Sequence, residues 1–140
     1  MEIIENSLSI KTYNSLRKTV GWKAFSDEQV KKALDNSIYT VVIKENDLPI
    51  AMGRIIGDNA LYYYIQDVVV NPKYQGQGIG TKIIQLMLQH IEKNMLPDTT
   101  VTIGLFAAKG KEEFYQKFNF IIRPNIDTGH GMMQKMTSHL

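Results

Sequence analysis

Apolar residues recur along the chain with two different periods, and the switches between them outline its elements. Residues 2–5 read as a short first strand. From Ser9 to Val20, Ile10, Tyr13, Leu16 and Val20 are spaced by three and four, the stripe of an amphipathic helix. Ser26-Asp27-Glu28-Gln29 reads as a helix start, with a Ser N-cap, Gln three residues later, and then Val30 and Leu34 on one side. Ile38 to Ile43 is rich in β-branched residues and predicts a strand; Glu45-Asn46-Asp47 supplies a turn, and Leu48 to Ile56 predicts the next strand. Gly57-Asp58-Asn59 is a second turn signal. Ala60 to Val70 is the longest strand candidate, and it stops at Asn71-Pro72 because Pro cannot donate to a ladder.

The clearest helix carries Ile79, Ile83, Ile84, Met87, Leu88, Ile91 and Met95, and runs to Asn94 before Pro97-Asp98. Val101 to Ala107 returns as a strand, Lys111 to Phe118 as a short helix, and Phe120 to Arg123 as a strand. Thr128-Gly129-His130-Gly131 is a turn before a short final strand at Met132 to Met136. The order predicts an α/β (α+β) protein: a mixed sheet with helices on its faces. No repeat, low-complexity tract or linker interrupts it, so residues 1–140 read as one domain, a size able to bury its own core.

Composition narrows the chemistry by exclusion. The chain has no Cys, which excludes a disulfide framework, thiolate zinc sites, iron–sulfur clusters and a cysteine nucleophile. A formal net charge of +2 is too small to argue for nucleic acid, whose binders carry a strongly basic patch. No apolar run is long enough to predict a transmembrane helix, and Met1-Glu2-Ile3-Ile4-Glu5-Asn6 lacks the basic-then-apolar shape of a signal peptide. The expectation is a soluble, cytoplasmic domain with no membrane or nucleic-acid partner. No His and carboxylate set has metal-ligand spacing, so no metal is expected.

Candidate chemistry concentrates where a strand, Val68-Val69-Val70, runs through Asn71-Pro72-Lys73-Tyr74 into Gln75-Gly76-Gln77-Gly78-Ile79-Gly80-Thr81 and a long helix. Glycines let the backbone bend and let an anion approach with no Cβ in the way. A helix start offers unpaired N–H groups and partial positive charge. The segment reads as a phosphate or pyrophosphate cradle. A Walker loop needs Gly-Lys-Ser/Thr, whereas Gly80 is followed by Thr81-Lys82. A dinucleotide fingerprint needs its third glycine one position later than Gly80.

Gln75-x-x-Gly78-x-Gly80, after an apolar strand and Asn-Pro, resembles motif A of the GCN5-related N-acetyltransferase (GNAT) superfamily, (Gln/Arg)-x-x-Gly-x-(Gly/Ala). Glu113-Phe114-Tyr115-Gln116-Lys117-Phe118-Asn119-Phe120 is similar to that superfamily's Phe-Tyr-x-Lys-x-Gly-Phe segment. The strand before the glycine turn is similar to that of glucosamine-phosphate acetyltransferases, with Gln66-Asp67 where those have an acid pair. The resemblance implies the acyl-CoA N-acyltransferase fold, with a splayed central sheet, and acetyl-CoA as acyl donor. It implies that Val68, Val69 and Val70 meet the pantetheine arm and oxyanion through their backbone. Gln75, Gly76, Gln77, Gly78, Ile79, Gly80 and Thr81 would wrap the pyrophosphate, with Lys73 or Lys82 as possible reach to the phosphates.

By the same resemblance Tyr115 is the general acid toward the departing thiolate; packing beside Phe114, Phe118 and Phe120 is the plainer alternative. Asp67 stands as general base toward the incoming ammonium, with a loop anchor and a water relay as the alternatives. Ala108 replaces an Asn common in the superfamily, and Asn119 replaces a Gly in a position where left-handed backbone is tolerable.

On the acceptor side, Trp22 and Phe25 line a slot or pack in the core, and one or two of Tyr62, Tyr63 and Tyr64 face the cleft. Arg54 needs a partner, either Asp58, Asp67 or an acidic group of the acceptor. His90 is expected on the polar face of its helix. With no Cys for a covalent intermediate, the activity expected is direct transfer from acetyl-CoA to a primary amine of a small molecule, within a ternary complex. A non-catalytic acyl-CoA sensor and a protein lysine or N-terminal acetyltransferase are the alternatives. A homodimer is implied by resemblance alone.

Overall fold

A computed structural model describes residues 1–139, which form two compact units, Met1–Leu105 and the remainder from Phe106. The first unit contains β1 (Glu2–Glu5), α1 (Ile10–Thr19), α2 (Asp27–Asp35), β2 (Tyr39–Glu45), β3 (Leu48–Gly57), β4 (Tyr62–Val70), a 3₁₀ turn at Pro72–Tyr74, α3 (Ile79–Asn94) and β5 (Thr102–Gly104). The five strands lie in the order β1-β2-β3-β4-β5; the first four are antiparallel neighbours and β5 joins β4 in parallel. This is the mixed, helix-flanked sheet that the hydrophobic periods predict.

Local chemistry sets the boundaries. Ser9 and Ser26 cap α1 and α2 by accepting from the amides of Thr12 and Gln29. Asn46 and Asp47, with φ of 49° and 64°, close the two-residue β2–β3 hairpin, whose left-handed positions Asn and Asp tolerate. At the β3–β4 turn, Asp58 Oδ1 accepts from the amides of Ala60, Leu61 and Tyr62 at 2.8–2.9 Å. These bonds, led by that of Tyr62, hold the Asp58 carboxyl below its ordinary range. Gly57, at φ 144°, has no room for a Cβ: it would stand 2.1 Å from the Tyr62 carbonyl oxygen.

Successive residues of β3 point to opposite faces. Arg54 reaches toward α1, whereas a Cβ on Gly53 would meet Ile83 Cγ2 of α3 at 2.8 Å. The two helices therefore lie on opposite faces of the sheet. One face buries Tyr13, Leu16 and Val30 against Val42, Met52 and Val69. The other covers Ile83, Ile84, Met87 and Ile91 of α3, all almost fully buried, at roughly 1.5–3 kcal/mol for each large apolar side chain. Tyr63 is buried while Tyr62 is exposed, as strand alternation requires. His90 departs from the expected polar face: its ring stacks on Tyr39 at 4.3 Å, and burial lowers its pKa.

The chain from residue 101 onward differs most from expectation. Only Thr102–Gly104 of the expected strand joins the sheet. In the second unit α4 spans Glu112–Gln116, inside the expected helix, and neither Phe120 to Arg123 nor Met132 to Met136 forms a strand. Beyond Arg123, Asn125 Oδ1 accepts from the amides of Asp127 and Thr128, and Arg123 Nε donates to the Gly129 carbonyl at 2.8 Å. These local bonds close a loop where a ladder would need extended backbone. Asn119 adopts φ 69°, the left-handed conformation anticipated for that position.

Gly53→Val should cost about 1–3 kcal/mol by overpacking against the branched Ile83 side chain, read as a lower denaturant midpoint with an unchanged slope. A midpoint equal to that of the unaltered chain would contradict this close approach of α3 to β3.

Candidate functional site

The geometry begins with a mismatch between two strands. Met52 pairs with Val69 and Arg54 with Gln66, so one residue of β3, Gly53, stands opposite two of β4, Asp67 and Val68. This is a β-bulge, and Asp67 in it has φ 55°, left-handed backbone rarely used by a non-glycine residue. On the other side β5 pairs only with Tyr62, Tyr63 and Tyr64. From Ile65 to Val70, within the first unit, that edge of β4 has no strand beside it. The side chain of Val69 is buried, so there β4 can offer a ligand only its backbone.

The open edge leads directly to the glycine turn. Gly76 and Gly78 both have φ 79°, and a Cβ added at either would meet nothing within 4 Å. Their requirement for glycine is thus conformational, and the space that a side chain would enter is free. Gly78 is the N-cap of α3 and provides no side-chain cap; the first helical bond runs from the Lys82 amide to the Gly78 carbonyl at 3.1 Å. Among the described residues, the amides of Gly76, Gln77, Gly78, Ile79, Gly80 and Thr81 donate to no acceptor of the chain. A row of free donors at the positive end of a sixteen-residue helix favours a phosphate group. The side chain of Ile79 is core, so its contribution is its N–H.

Gln75 plays a different part from its glycine neighbours. Its Nε2 donates to the Val70 carbonyl at 3.0 Å and so braces the turn against the end of β4. Lys73 and Lys82 are exposed on either side of the loop.

Asp67 is buried, and both its oxygens are engaged. Oδ1 accepts from Arg17 Nη1 at 3.0 Å; Oδ2 accepts from Arg54 Nε at 2.8 Å and from the Tyr13 hydroxyl at 2.8 Å. Its side chain is 1% exposed and those of both arginines are 12% exposed. This settles the partner of Arg54: it is Asp67 and not Asp58. Arg54 also donates to Ser37 Oγ at 3.2 Å, which carries the network to the end of α2. The geometry is that of an anchor, and its donors are side chains. Burial, with the neighbouring Asp67 carboxylate, pushes the Tyr13 hydroxyl up to about 12.

Sequence reasoning did not find Arg17 and Tyr13 as partners of Asp67. A signal was present, because Arg17 stands four residues after Tyr13 on the apolar stripe of α1, where a charge needs a partner. Arg17 is also flanked by Phe25 and Trp22, whose ring centroids lie 4.5 and 5.2 Å from its guanidinium carbon. Trp22 is partly buried against the core, while Phe25 is 43% exposed.

In the second unit, Tyr115 lies in α4 with Phe114 edge-on at 5.1 Å and Phe120 at 6.1 Å. Burial raises the pKa of its phenol, and among the described residues its hydroxyl bonds to no other group. No cluster of His and carboxylates able to hold a metal occurs among the described residues. No helix there is long and apolar enough to cross a membrane.

Asp67→Asn leaves two buried guanidinium groups without their anion and should lower unfolding free energy by about 3–5 kcal/mol in denaturant titration. A loss below about 1 kcal/mol, the level of an exposed pair, would show that the network carries no such weight.

The sequence profile of the "Acetyltransferase (GNAT) domain" family matches residues 36–122, from before β2 through α4. An "Uncharacterized N-acetyltransferase ycf52-like" from Prochlorococcus marinus is 31% identical over 122 residues, covering 84% of this chain and 66% of its own length. The "Histone acetyltransferase TAP1" of Glycine max is 30% identical over 121 residues, covering 86% of this chain and 42% of its own length. The chain thus spans about two thirds or less of these relatives. A crystal structure of a "Probable Acetyltransferase" from meticillin-resistant Staphylococcus aureus superposes with a TM-score of 0.84 at 30% identity, covering 96% of this chain and 98% of that one. The bulged and open β4, the glycine turn that starts α3 and these matches agree: this chain belongs to the GNAT acetyltransferase family.

Proposed function

We propose that this acetyltransferase moves an acetyl group from acetyl-CoA directly to a primary amine of a small molecule. The observation that carries the donor assignment is the row of free amides from Gly76 to Thr81, directly after the open edge of β4. When bound, acetyl-CoA supplies the activated acyl group; the chain supplies binding, orientation and proton transfer. The amides of Gly76 to Thr81 hold the pyrophosphate at the N-terminus of α3. Backbone groups between Ile65 and Val70 take an extended, amide-containing arm as a further strand would be taken. An amide near Val68 or Val69 donates to the thioester oxygen as negative charge develops there.

Tyr115 gives its proton to the departing sulfur. The phenol, held by burial above its ordinary 10.0, carries its proton at neutral pH and is able to donate it. Asp67 does not serve as the base in this reading. Its oxygens are committed to three donors, so its task is to fix the bulge. The ammonium proton of the acceptor leaves through water. Trp22 and Phe25 border the acceptor, and the formal charge of +2 suits a small-molecule acceptor better than a nucleic acid. The name of the soybean relative supports a protein amine as the second reading.

Gly78→Val places a branched side chain in the cradle, and should weaken acetyl-CoA binding at least about 100-fold by calorimetry, or about 2.7 kcal/mol. The backbone strain should add only about 1–2 kcal/mol of destabilisation. An affinity within threefold of the unaltered chain would refute the cradle. Tyr115→Phe should lower kcat roughly 10²–10⁴-fold with acetyl-CoA affinity unchanged. In the unaltered enzyme, activity should fall as pH rises through the phenol pKa, above its ordinary 10.0, and this basic limb should vanish in the variant. Comparing a small-amine panel with lysine and N-terminal peptides, by release of free thiol, separates the two acceptor readings.

A further inference from the structure

Arg17 joins two parts of the first unit that the proposed reaction uses separately. On one side its Nη1 donates to Asp67 Oδ1 at 3.0 Å. On the other its Nε donates to the Lys23 carbonyl at 3.0 Å, and its guanidinium lies against Phe25 and Trp22. Asn14 holds the same segment: its Nδ2 donates to the Phe25 carbonyl at 2.9 Å and its Oδ1 accepts from the Phe25 amide at 3.1 Å. The segment from Trp22 to Phe25 has no helix or strand of its own, so these bonds and stacks, with the Trp22 amide donating to the Arg17 carbonyl at 3.0 Å and the Trp22 ring packed on the core, set its position. At the far end of the link, Asp67 sits at φ 55° in the bulge, two residues beyond the start of the open edge of β4.

We propose that Arg17 is a positioning residue, a latch through which the β4 bulge sets the Trp22–Phe25 segment, so that filling the open edge of β4 with the acyl donor orders the acceptor side. The latch rests on the bonds above; its response to the donor rests on the acetyl-CoA reading. Two of the three bonds to Asp67 come from α1, so the bulge cannot shift without drawing Arg17 or breaking a charged bond. A planar guanidinium presents two fixed edges and an aromatic-stacking face at once. An ammonium at the same position can keep the charge but not all three contacts. By linkage, a donor that orders the segment is bound more tightly when the segment is already ordered.

Trp22 is the single Trp of the chain, so its emission reports this segment alone. Acetyl-CoA added to the unaltered protein should change Trp22 emission with the midpoint that calorimetry gives for binding. In Arg17→Met, calorimetric affinity should stay within about fivefold while the emission change is lost; Arg17→Lys should retain only part of it. Without any ligand, hydrogen exchange at the amides of residues 22–25 should be at least tenfold faster in Arg17→Met, with α3 unaffected. Calorimetric binding with silent Trp22 emission, or a full emission change in Arg17→Met, would overturn the response to the donor. Unchanged exchange at residues 22–25 would overturn the latch. Absence of calorimetric binding to the unaltered protein would instead refute the acetyl-CoA reading, and the exchange comparison would still decide the latch.

Discussion

A carboxylate taken out of water must be matched by charge and by hydrogen bonds, and the arrangement around Asp67 follows from that requirement. Its position in the β4 bulge is otherwise unfavourable: the side chain is buried and the backbone left-handed. Arg17, Arg54 and Tyr13 make it tenable, and they come from α1 and β3. Because Arg54 extends the network to Ser37, one buried anion ties both N-terminal helices to the centre of the sheet. Replacing such a cluster by apolar residues need not cost stability, whereas removing one partner leaves a buried charge uncompensated.

That arrangement has consequences along β4. A bulge increases the local twist of a strand, and β5 accompanies β4 only as far as Tyr64. The chain then reaches Val70 with one edge open and turns through two left-handed glycines into α3. An edge strand normally risks pairing with other chains. Here the edge is short and leads into a row of amides with no acceptor among the described residues, an arrangement that suits an extended ligand with a phosphate end.

Legibility varied along the chain for identifiable reasons. The stripe of α3 and the alternation of β4 were plain, because the burial they encode is large and periodic. Ser9 and Ser26 marked helix starts because capping is local. The glycine turn was legible for the same reason: φ near 79° at Gly76 and Gly78 is a requirement that the residue type itself displays. Phe120 to Arg123 and Met132 to Met136 have strand composition but no ladder, and Asn125 closes a loop between them. Composition states a preference for extended backbone; only a neighbouring strand can realise it.

The sequence by itself determined the order of elements through α4, the absence of cysteine and the glycine turn, since periodicity, residue type and capping act over a few positions. Tertiary structure decided the rest. It gave Asp67 to Arg17, Arg54 and Tyr13, which stand 50, 13 and 54 positions away along the chain. It stacked His90 on Tyr39 and ended β5 after three residues, leaving one edge of β4 open. Partners chosen across the sheet depend on register and on the single extra residue of a bulge, and no local pattern of residue types encodes either.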